Sequence, residues 1–265
     1  MLIVVSPAKS LDYESPLATR KFTQPTMLDA SAELIAVMAT KSAADIASMM
    51  SISPQLAQLN LERYHDWEQP FTRRNARPAI LAFNGDVYQG MDAAHSFDER
   101  DFTHAQKTLR ILSGLYGVLR PLDLIMAYRL EMGTKVVTPK GRDLYDYWGD
   151  TIADDLAVAV DASPGAKVLV NLASVEYFTA VRPVRLNAAD VTVVSPTFLD
   201  ARDDGGEHRI VSFFAKRARG AMAGWIIRNR IASARALREF DALGYRYDKA
   251  RSRPTNPVFV RTGQQ

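Results

Sequence analysis

The sequence predicts an α/β protein that folds as a single domain over residues 1–265. Short apolar, β-rich runs alternate with segments of helical period, which is the pattern of α/β chains. The composition, with 47% hydrophobic and 24% charged residues, is that of a globular protein able to bury a sizeable core. No Pro/Gly/Ser-rich linker, low-complexity segment or internal repeat divides the chain, so one domain is favoured over two.

The first half of the chain is predicted to open with a buried strand and to continue with short helices. Residues 14–26 contain two prolines and are expected to be irregular. Ser42 and Ser53 are typical helix N-caps, and proline suits the first turn that follows Ser53. The expected elements are a strand over 2–5, helices over 29–40, 42–50 and from 53 onward, a strand over 79–83 that ends at Asn84-Gly85, a helix over 97–105 and a strand over 108–112.

The second half continues the alternation and ends in a basic segment. Acidic residues early in 143–160 favour the N-terminal end of a helix, and Ser174 is a candidate N-cap. The expected elements are a helix over 143–160, a strand over 167–172, a helix after Ser174, a strand over 191–194, a polar hairpin-like loop over 202–208, a strand over 210–214, a long basic amphipathic helix over 215–240 and an extended basic tail from 245.

The net charge of +3 conceals an asymmetry between the two ends of the chain. Residues 202–265 hold 14 Lys and Arg against 6 Asp and Glu, whereas residues 1–201 hold 19 against 24. A basic face attracts phosphate, and nucleic acid is the commonest such partner. The alternative is that these arginines cover apolar surface or pair with the acidic body of the protein.

The composition also excludes several kinds of chemistry and location. The chain has no cysteine, which excludes disulfides, thiolate catalysis, iron–sulfur ligation and thiol redox sensing. No apolar run is long enough for a transmembrane helix, and the N-terminal apolar run is too short for a signal peptide. We therefore expect a cytoplasmic protein that has no membrane contact.

The most informative segment is 112–132, which reads LSGLYGVLRPLDLIMAYRLEM. It places many hydrogen-bonding side chains among apolar residues, and buried polar groups are costly unless they are paired. The segment is therefore either a satisfied structural network or the wall of a site. We favour a wall, in which Arg120, Arg129 and Glu131 face a cleft. The residues expected behind them are Leu115, Val118 and Leu124.

Polar side chains follow three predicted strands where each strand ends. These strand ends lie at Lys9, Asn84 and Asn171, and they would line one mouth if the strands were parallel. Ser6 and Lys9 match the Ser-x-x-Lys spacing of penicillin-recognising enzymes, but a match this short often arises by chance. The better interpretation of Lys9 is a cation offered at the end of a strand.

The segment NLASVEYF at 171–178 and two carboxylates leave further alternatives open. Backbone N–H groups at a helix start can bind anions, or the segment can be a simple capping arrangement. Glu131 and Glu176 could act as a pair in acid/base or metal chemistry, but pairing of each with an arginine is the stronger alternative. The four histidines form no metal motif, and no nucleotide-binding glycine motif occurs, so we expect no metal and no cofactor.

The segment FFAKRARGAMAGWIIRNRI at 213–231 is the second informative one. Lys216, Arg217 and Arg219 lie within one helical turn, and apolar residues such as Met222 and Trp225 supply the buried side. Cations in this arrangement suit a phosphate backbone. The alternative is an ordinary amphipathic helix with a solvated basic face.

Taken together, these segments resemble the YaaA family of bacterial peroxide stress resistance proteins. The resemblance runs from residue 1 to about 247. It rests on SPAK near the start, LNLERY at 59–64, LSGLYGVLRPLD, YRLEMGTK, LASVEYF at 172–178, AKRARGAM and GYRY. Two positions depart from the pattern expected of many relatives: Ala127 stands in place of proline, and Gly224 in place of a basic residue.

The resemblance implies a mixed central sheet surrounded by helices, the cantaloupe-like fold, with a positively charged cleft and a helix-hairpin-helix element. We place that element at 33–60, with 112–117 as the alternative. The resemblance also implies a cytosolic DNA-binding protein of the oxidative stress response that limits free iron and so limits oxidative DNA damage. Duplex DNA is then the expected partner, the link to iron is indirect, and a monomer is favoured.

Three functional hypotheses follow. In the first, the protein binds duplex DNA through phosphate contacts; in the second, it is an enzyme acting on a phosphate-bearing or nucleic-acid substrate. In the third, which the few histidines and absent cysteines disfavour, it sequesters iron directly. The candidate DNA- or phosphate-binding residues are Lys9, Ser113, Arg120, Arg129, Asn171, Ser174, Lys216, Arg217 and Arg219. The candidate catalytic residues are Lys9, Tyr116, Glu131, Glu176 and Lys216.

Overall fold

The computed structural model describes residues 1–201 and 206–263. Within these ranges the strands are β1 (Leu2–Val5), β2 (Ser10–Leu11), β3 (Arg77–Pro78), β4 (Phe83–Asn84), β5 (Leu109–Ser113), β6 (Gly117–Leu119), β7 (Leu124–Ile125), β8 (Val168–Leu172), β9 (Thr192–Val194), β10 (Thr197–Ala201), β11 (Arg246–Tyr247) and β12 (Val258–Thr262).

The helices in the same ranges are mostly short. They are α1 (Leu28–Ala39), α2 (Ala43–Met50), α3 (Pro54–His65), α4 (Ala79–Ala82), α5 (Asp86–Met91), α6 (Ala93–Ser96), α7 (Glu99–Thr108), α8 (Leu144–Trp148), α9 (Thr151–Ala162), α10 (Val175–Thr179), α11 (Pro183–Ala188) and α12 (Ser212–Arg228). Two 3₁₀ helices, Ala234–Glu239 and Ala242–Gly244, follow α12.

The central sheet confirms the predicted α/β class and the mixed sheet. Its five strands run in the order β6-β5-β1-β8-β9. Strands β5, β1, β8 and β9 are parallel, and β6 pairs antiparallel with β5. All four residues of β1 are fully buried, as expected for a parallel strand covered on both faces.

The N-terminal helices form where the sequence predicts them. Ser42 caps α2 in a capping box with Asp45, and the Ser53 hydroxyl accepts a hydrogen bond from the backbone N–H of Leu56 in α3. Connections of three residues, 40–42 and 51–53, join α1 to α2 and α2 to α3. The segment 112–117 instead lies in the hairpin between β5 and β6. It joins strands rather than helices, so it is not a helix-hairpin-helix element.

Several element predictions are wrong in type or length. Residues 79–82 form a short helix rather than a strand, and only Phe83–Asn84 is extended. The helix predicted over 143–160 is two helices, because Gly149 ends the first at a φ of 51°. Residues 212–214 belong to α12 rather than to a strand, and α12 ends well before residue 240. The loop predicted over 202–208 falls partly outside the described residues.

Helix α12 approaches α5 closely, and glycines make this possible. A Cβ atom on Gly220 would lie 1.8 Å from the carbonyl oxygen of Val87, and one on Gly90 would lie 2.1 Å from that of Arg217. A Cβ atom on Gly224 would lie 2.6 Å from the Met91 carbonyl oxygen, so a basic side chain does not fit there in this packing. The close approach fixes the position of α12 relative to α5.

No helix within the described ranges is both long and apolar enough to cross a membrane.

The variant Gly220→Ala is expected to destabilise the protein by about 1 to 3 kcal/mol, because the added methyl group meets backbone rather than a movable side chain. Urea denaturation measures the change in the free energy of unfolding. The control is Arg217→Ala, an exposed position on the same helix, for which a change within about 0.5 kcal/mol is expected. Equal stability of the Gly220→Ala variant and the wild type would contradict the close packing of α12 on α5.

Candidate functional site

A cavity of about 530 Å³ opens beyond the carboxyl ends of β1 and β8, and we call it the cleft. Open α/β sheets place their ligands at this edge. Five segments of the chain contribute to its wall. The lining residues are Ser6, Pro7, Ala8, Lys9, Ser10, Asn84, Gly85, Asp86, Val87, Tyr88, Tyr128, Arg129, Leu130, Glu131, Leu172, Ser174, Glu176, Tyr177, Lys216 and Arg219.

The ends of β1 and β8 are joined at the cleft by two serines. These strands are parallel neighbours with Val5 opposite Leu172, so the residues that follow them lie side by side. The Ser6 hydroxyl accepts a hydrogen bond from the backbone N–H of Ser174 at 2.8 Å and donates one to the Ser174 hydroxyl at 3.3 Å. Ser174 occupies the N-cap position of α10, as predicted, but its hydroxyl makes no capping hydrogen bond.

The contacts of Ser6 and Lys9 do not support a serine–lysine nucleophile. The Ser6 hydroxyl bonds to Ser174, whereas the Lys9 ammonium pairs with Glu131. A lysine whose charge is held by a carboxylate is not placed to take the serine proton. Lys9 instead presents a cation after a strand end.

An ion cluster of Lys9, Glu131 and Arg129 forms part of the wall. Glu131 Oε2 lies 2.7 Å from Lys9 Nζ, and Glu131 Oε1 accepts hydrogen bonds from Arg129 Nε at 3.1 Å and Nη2 at 2.9 Å. Glu131 thus pairs with an arginine, which is the alternative that the sequence favours. One carboxylate therefore compensates part of the charge of two cations.

Neighbouring elements fix the backbone of this wall. The Tyr64 hydroxyl of α3 donates to the Arg129 carbonyl oxygen. A Cβ atom on Gly114 would lie 2.3 Å from the Leu130 carbonyl oxygen, so the β5–β6 hairpin packs directly against the segment. These contacts hold in place the backbone from which the Arg129 and Glu131 side chains project.

Glu176 reaches the cleft from α10. Its Oε1 accepts a hydrogen bond from the backbone N–H of Gly133 at 2.9 Å, and its carbonyl oxygen accepts one from the Tyr145 hydroxyl at 3.0 Å. The carboxylate therefore bonds to backbone, where the sequence favours an arginine partner. Glu131 and Glu176 share the cleft, but each already has a partner of its own.

Three tyrosines, Tyr88, Tyr128 and Tyr177, contribute to the lining. Burial raises the pKa of each phenol above the ordinary value, which keeps the three groups neutral at physiological pH. The Tyr88 hydroxyl donates to the Ser6 carbonyl oxygen at 3.0 Å, and the Tyr128 hydroxyl lies 2.6 Å from that of Ser113. The phenols thus act in the cleft as neutral hydrogen-bonding groups.

Helix α12 adds two cations to the cleft. Lys216 and Arg219 are three residues apart, so they share one helical face, and both line the cleft. Burial lowers the pKa of the Arg219 guanidinium. Within the described residues, neither side chain has an ion-pair partner, in contrast to Lys9 and Arg129.

The structure brings together most of the predicted site residues. They come from separate parts of the sequence, and Asn84 joins them at the mouth. The segment 112–132 is both a network and a wall: Arg129 and Glu131 face the cleft, while Leu115, Val118 and Leu124 are buried. The predicted residues that line the cleft are Lys9, Arg129, Glu131, Ser174, Glu176, Lys216 and Arg219.

Two predicted site residues are buried away from the cleft surface. Ser113 is fully buried, and its hydroxyl bonds to Tyr128 and to the backbone N–H of Tyr116. Tyr116 is also fully buried, and its hydroxyl accepts hydrogen bonds from Trp67 Nε1 at 3.1 Å and from the Met126 N–H at 3.3 Å. Both polar groups belong to a satisfied internal network, which the sequence alone does not distinguish from a site surface.

Three further predicted residues lie outside the cleft lining. Arg120 is held by the buried carboxylate of Asp123 at 2.9 Å. Asn171 turns toward a neighbouring cavity, because side chains alternate along an extended segment. Arg217 is exposed on α12, one position from Lys216.

Asp86 and Tyr88 are cleft residues that sequence reasoning missed. Both lie on α5, directly after the Asn84-Gly85 turn. That turn ends a predicted strand, so its position is the signal that the sequence offers. What the sequence does not show is that a helix begins at once and aims Tyr88 at the Ser6 carbonyl oxygen.

The cleft combines charged, hydrogen-bonding and apolar groups. Its lining holds four basic residues, Lys9, Arg129, Lys216 and Arg219, against three acidic ones, Asp86, Glu131 and Glu176. The excess is one positive charge. Among the described residues, the cleft cations without a carboxylate partner lie on α12. Such a site can hold a phosphate, and carboxylates in it can exchange protons with a ligand. No group of three or more His, Cys, Asp or Glu suited to a metal ion occurs in the described ranges.

Comparison with known protein families agrees with the resemblance seen in the motifs. The family model described as peroxide stress protein YaaA matches residues 1–251. This match covers nearly the whole chain, so the protein belongs to that family.

The buried tyrosines are expected to make the protein sensitive to alkali. Their pKa values are raised on folding, so the stability they contribute is complete below pH about 10, the ordinary tyrosine value, and is lost as the pH rises through the raised values. The ultraviolet absorbance of tyrosinate, followed against pH in folded and urea-unfolded protein, measures this. In the folded protein, the buried tyrosines are expected to ionise above pH about 10, and Tyr128→Phe should reduce the number of such tyrosines by one. Ionisation of all tyrosines near pH 10 in the folded protein would contradict the burial.

Proposed function

We propose that this peroxide stress protein binds duplex DNA, and that the cleft and the adjoining turn of α12 hold the phosphate backbone. The observation that carries the proposal is the placement of Lys216, Arg217 and Arg219. Two of these cations line the cleft and the third is exposed beside it, and none has an ion-pair partner among the described residues. Cations free of carboxylates can exchange their counterions for phosphate.

The other two cations of the cleft, Lys9 and Arg129, are suited to positioning a bound nucleic acid rather than to binding an anion tightly on their own. Lys9 and Arg129 share Glu131, so their charge is partly compensated before any ligand arrives. Phosphate contacts of this kind fix the orientation of a nucleic acid but carry no sequence information. We therefore expect binding that depends little on DNA sequence.

The helices α1 to α3 supply the most suitable place for the proposed helix-hairpin-helix element. The connection at 51–53 follows α2, and Ser51 there has a φ of 51°, in the left-handed region. A hairpin of this type presents backbone N–H groups to phosphate and reads no bases. By this proposal, DNA contacts both the cleft and the α2–α3 connection.

Limitation of free iron and protection of DNA from oxidative damage complete the proposed role. These parts come from the resemblance to the family and not from the geometry of the cleft. The link to iron is proposed as indirect, through the DNA-bound protein, which acts as a monomer in the cytoplasm.

An enzyme acting on a phosphate-bearing or nucleic-acid substrate is the second candidate, and one observation favours it. Passive phosphate binding needs no acid or base, yet the cleft places Glu131, Glu176 and Asp86 among neutral tyrosines. If one carboxylate exchanged a proton with a substrate, the same cations would bind the phosphate of that substrate.

Duplex binding is expected to weaken steeply with salt, because phosphate contacts release condensed counterions. The variant Lys216→Ala should reduce the slope of log K against log salt concentration by about 0.9, the contribution of one phosphate. Fluorescence anisotropy of a labelled duplex at several salt concentrations measures the slope. The matched control is Lys167→Ala, because Lys167 precedes β8 at the opposite end of that strand from the cleft and pairs with Asp161. No binding of the wild-type protein at low salt would overturn the proposal.

The variant Glu131→Gln separates the two candidate functions. Removal of this negative charge frees Lys9 and Arg129, so DNA binding should tighten, by about twofold to tenfold at low salt. If Glu131 acts as an acid or base, turnover of a nucleic-acid substrate should instead fall by about a hundredfold or more. Binding and product formation are measured on the same duplex, with Asp161→Asn, an exposed carboxylate paired with Lys167, as control. Weaker DNA binding by Glu131→Gln would count against the phosphate site at this wall.

A further inference from the structure

A second cavity, of about 430 Å³, lies beside the cleft, and we call it the side pocket. Its volume falls within the range of about 300 to 1,000 Å³ typical of ligand pockets. Among the described residues that line it, none is acidic. They are Asn171, Ala173, Val175, Phe178, Thr179, Pro183, Ser195, Pro196, Thr197 and Arg219.

One segment of the chain, 171–179, separates the side pocket from the cleft. Leu172, Ser174, Glu176 and Tyr177 line the cleft, whereas the other five residues of the segment line the side pocket. The alternation begins in the extended backbone at the end of β8, where successive side chains point to opposite sides. The two cavities therefore share this segment as a common wall.

Arg219 lines both cavities. Its side chain is partly buried, and within the described residues it has neither a hydrogen-bond nor an ion-pair partner. Its guanidinium nitrogens remain accessible to solvent, so they are open to a ligand acceptor. A guanidinium has five N–H donors in a planar fork that matches phosphate. A ligand phosphate between the two cavities would satisfy it.

The polar groups of the side pocket are mainly donors. The Ser195 hydroxyl accepts a hydrogen bond from Asn171 Nδ2 at 3.3 Å, and the Thr197 hydroxyl accepts one from Asn256 Nδ2 at 3.0 Å. Each hydroxyl therefore keeps its own hydrogen for another acceptor. Phe178 and Pro196 add apolar area suited to the faces of a flat ring. The chemistry fits a heteroaromatic ring that carries carbonyl oxygens and ring nitrogens.

We propose that the side pocket binds the base of a nucleotide whose phosphate lies on Arg219. This inference rests on the proposed function, because DNA held at the cleft would supply the nucleotide. That nucleotide would be unpaired, and its base would have left the base stack. Extruding a base is least costly where it is already mismatched or unpaired. The protein would then prefer DNA with an unpaired base to a fully paired duplex.

The test uses the fluorescent base 2-aminopurine in three probes: a duplex in which it is paired with thymine, the same duplex with it unpaired in a one-nucleotide bulge, and the free deoxynucleoside monophosphate. The bulged duplex is expected to bind about tenfold more tightly than the paired one. Its 2-aminopurine should also become shielded from quenching by acrylamide. Thr197→Val should reduce the preference by about threefold to tenfold, because it removes one donor. Thr192→Val, an exposed position in β9, is the matched control and should leave the preference unchanged.

The outcomes separate this inference from the proposed function. If the wild-type protein binds the paired duplex but shows neither preference nor shielding, the side pocket is not a base site and DNA binding stands. A preference that Thr197→Val leaves intact in a folded variant would overturn the side-pocket assignment as well. If only the free nucleotide binds, and Thr197→Val weakens it, the nucleotide site stands and the DNA-binding function fails. Thermal unfolding of each variant establishes that it is folded.

Discussion

The parallel pairing of β1 with β5 on one side and β8 on the other is the constraint on which the rest of the structure depends. It buries β1 completely, and it brings two distant strand ends to the same edge of the sheet. Ser6 and Ser174 can bond there only because Val5 and Leu172 are in register. The other walls of the cleft are positioned relative to this pair of ends, either through the β5–β6 hairpin behind Leu130 or through α5 and α12.

The charges of the cleft divide into two groups with different physical states. Lys9 and Arg129 are tied to one carboxylate, which stabilises the wall but weakens their pull on an external anion. The cations of α12 have no such partner among the described residues and are brought to the cleft by a helix packing that glycine permits. The cations of the site that have no carboxylate partner among the described residues are thus supplied by one helix, and the packing of α12 on α5 positions them.

Sequence reasoning recovered the class of the fold, most N-terminal helices and many residues of the cleft, because each depends on local patterns. Ser42 and Ser53 cap helices with their own hydroxyls, and apolar runs define β1, β5 and β8. It failed where tertiary contacts decide. Buried Tyr116 has the same residue type as cleft-lining Tyr128, and only its packing and its hydrogen bond with Trp67 distinguish it. Likewise, residues 79–82 of the strand predicted over 79–83 form a short helix, since the apolar run there is buried and has no period to reveal its state.

The alternation of side chains along 171–175 makes this wall unusually sensitive to insertion and deletion. In a surface loop, loss of one residue is often absorbed by the flexible backbone. Here, a one-residue deletion after Leu172 would move Ser174 to the side-pocket face and Val175 to the cleft face, much as a register slip does in a strand, and it would turn α10 by about 100° relative to both cavities. Asn171 precedes the deleted position and would keep its place, whereas Ser174 follows it and would move. Evolution can therefore alter the identity of residues in this segment far more readily than its length, and a difference in length between relatives would mark a change in both cavities at once.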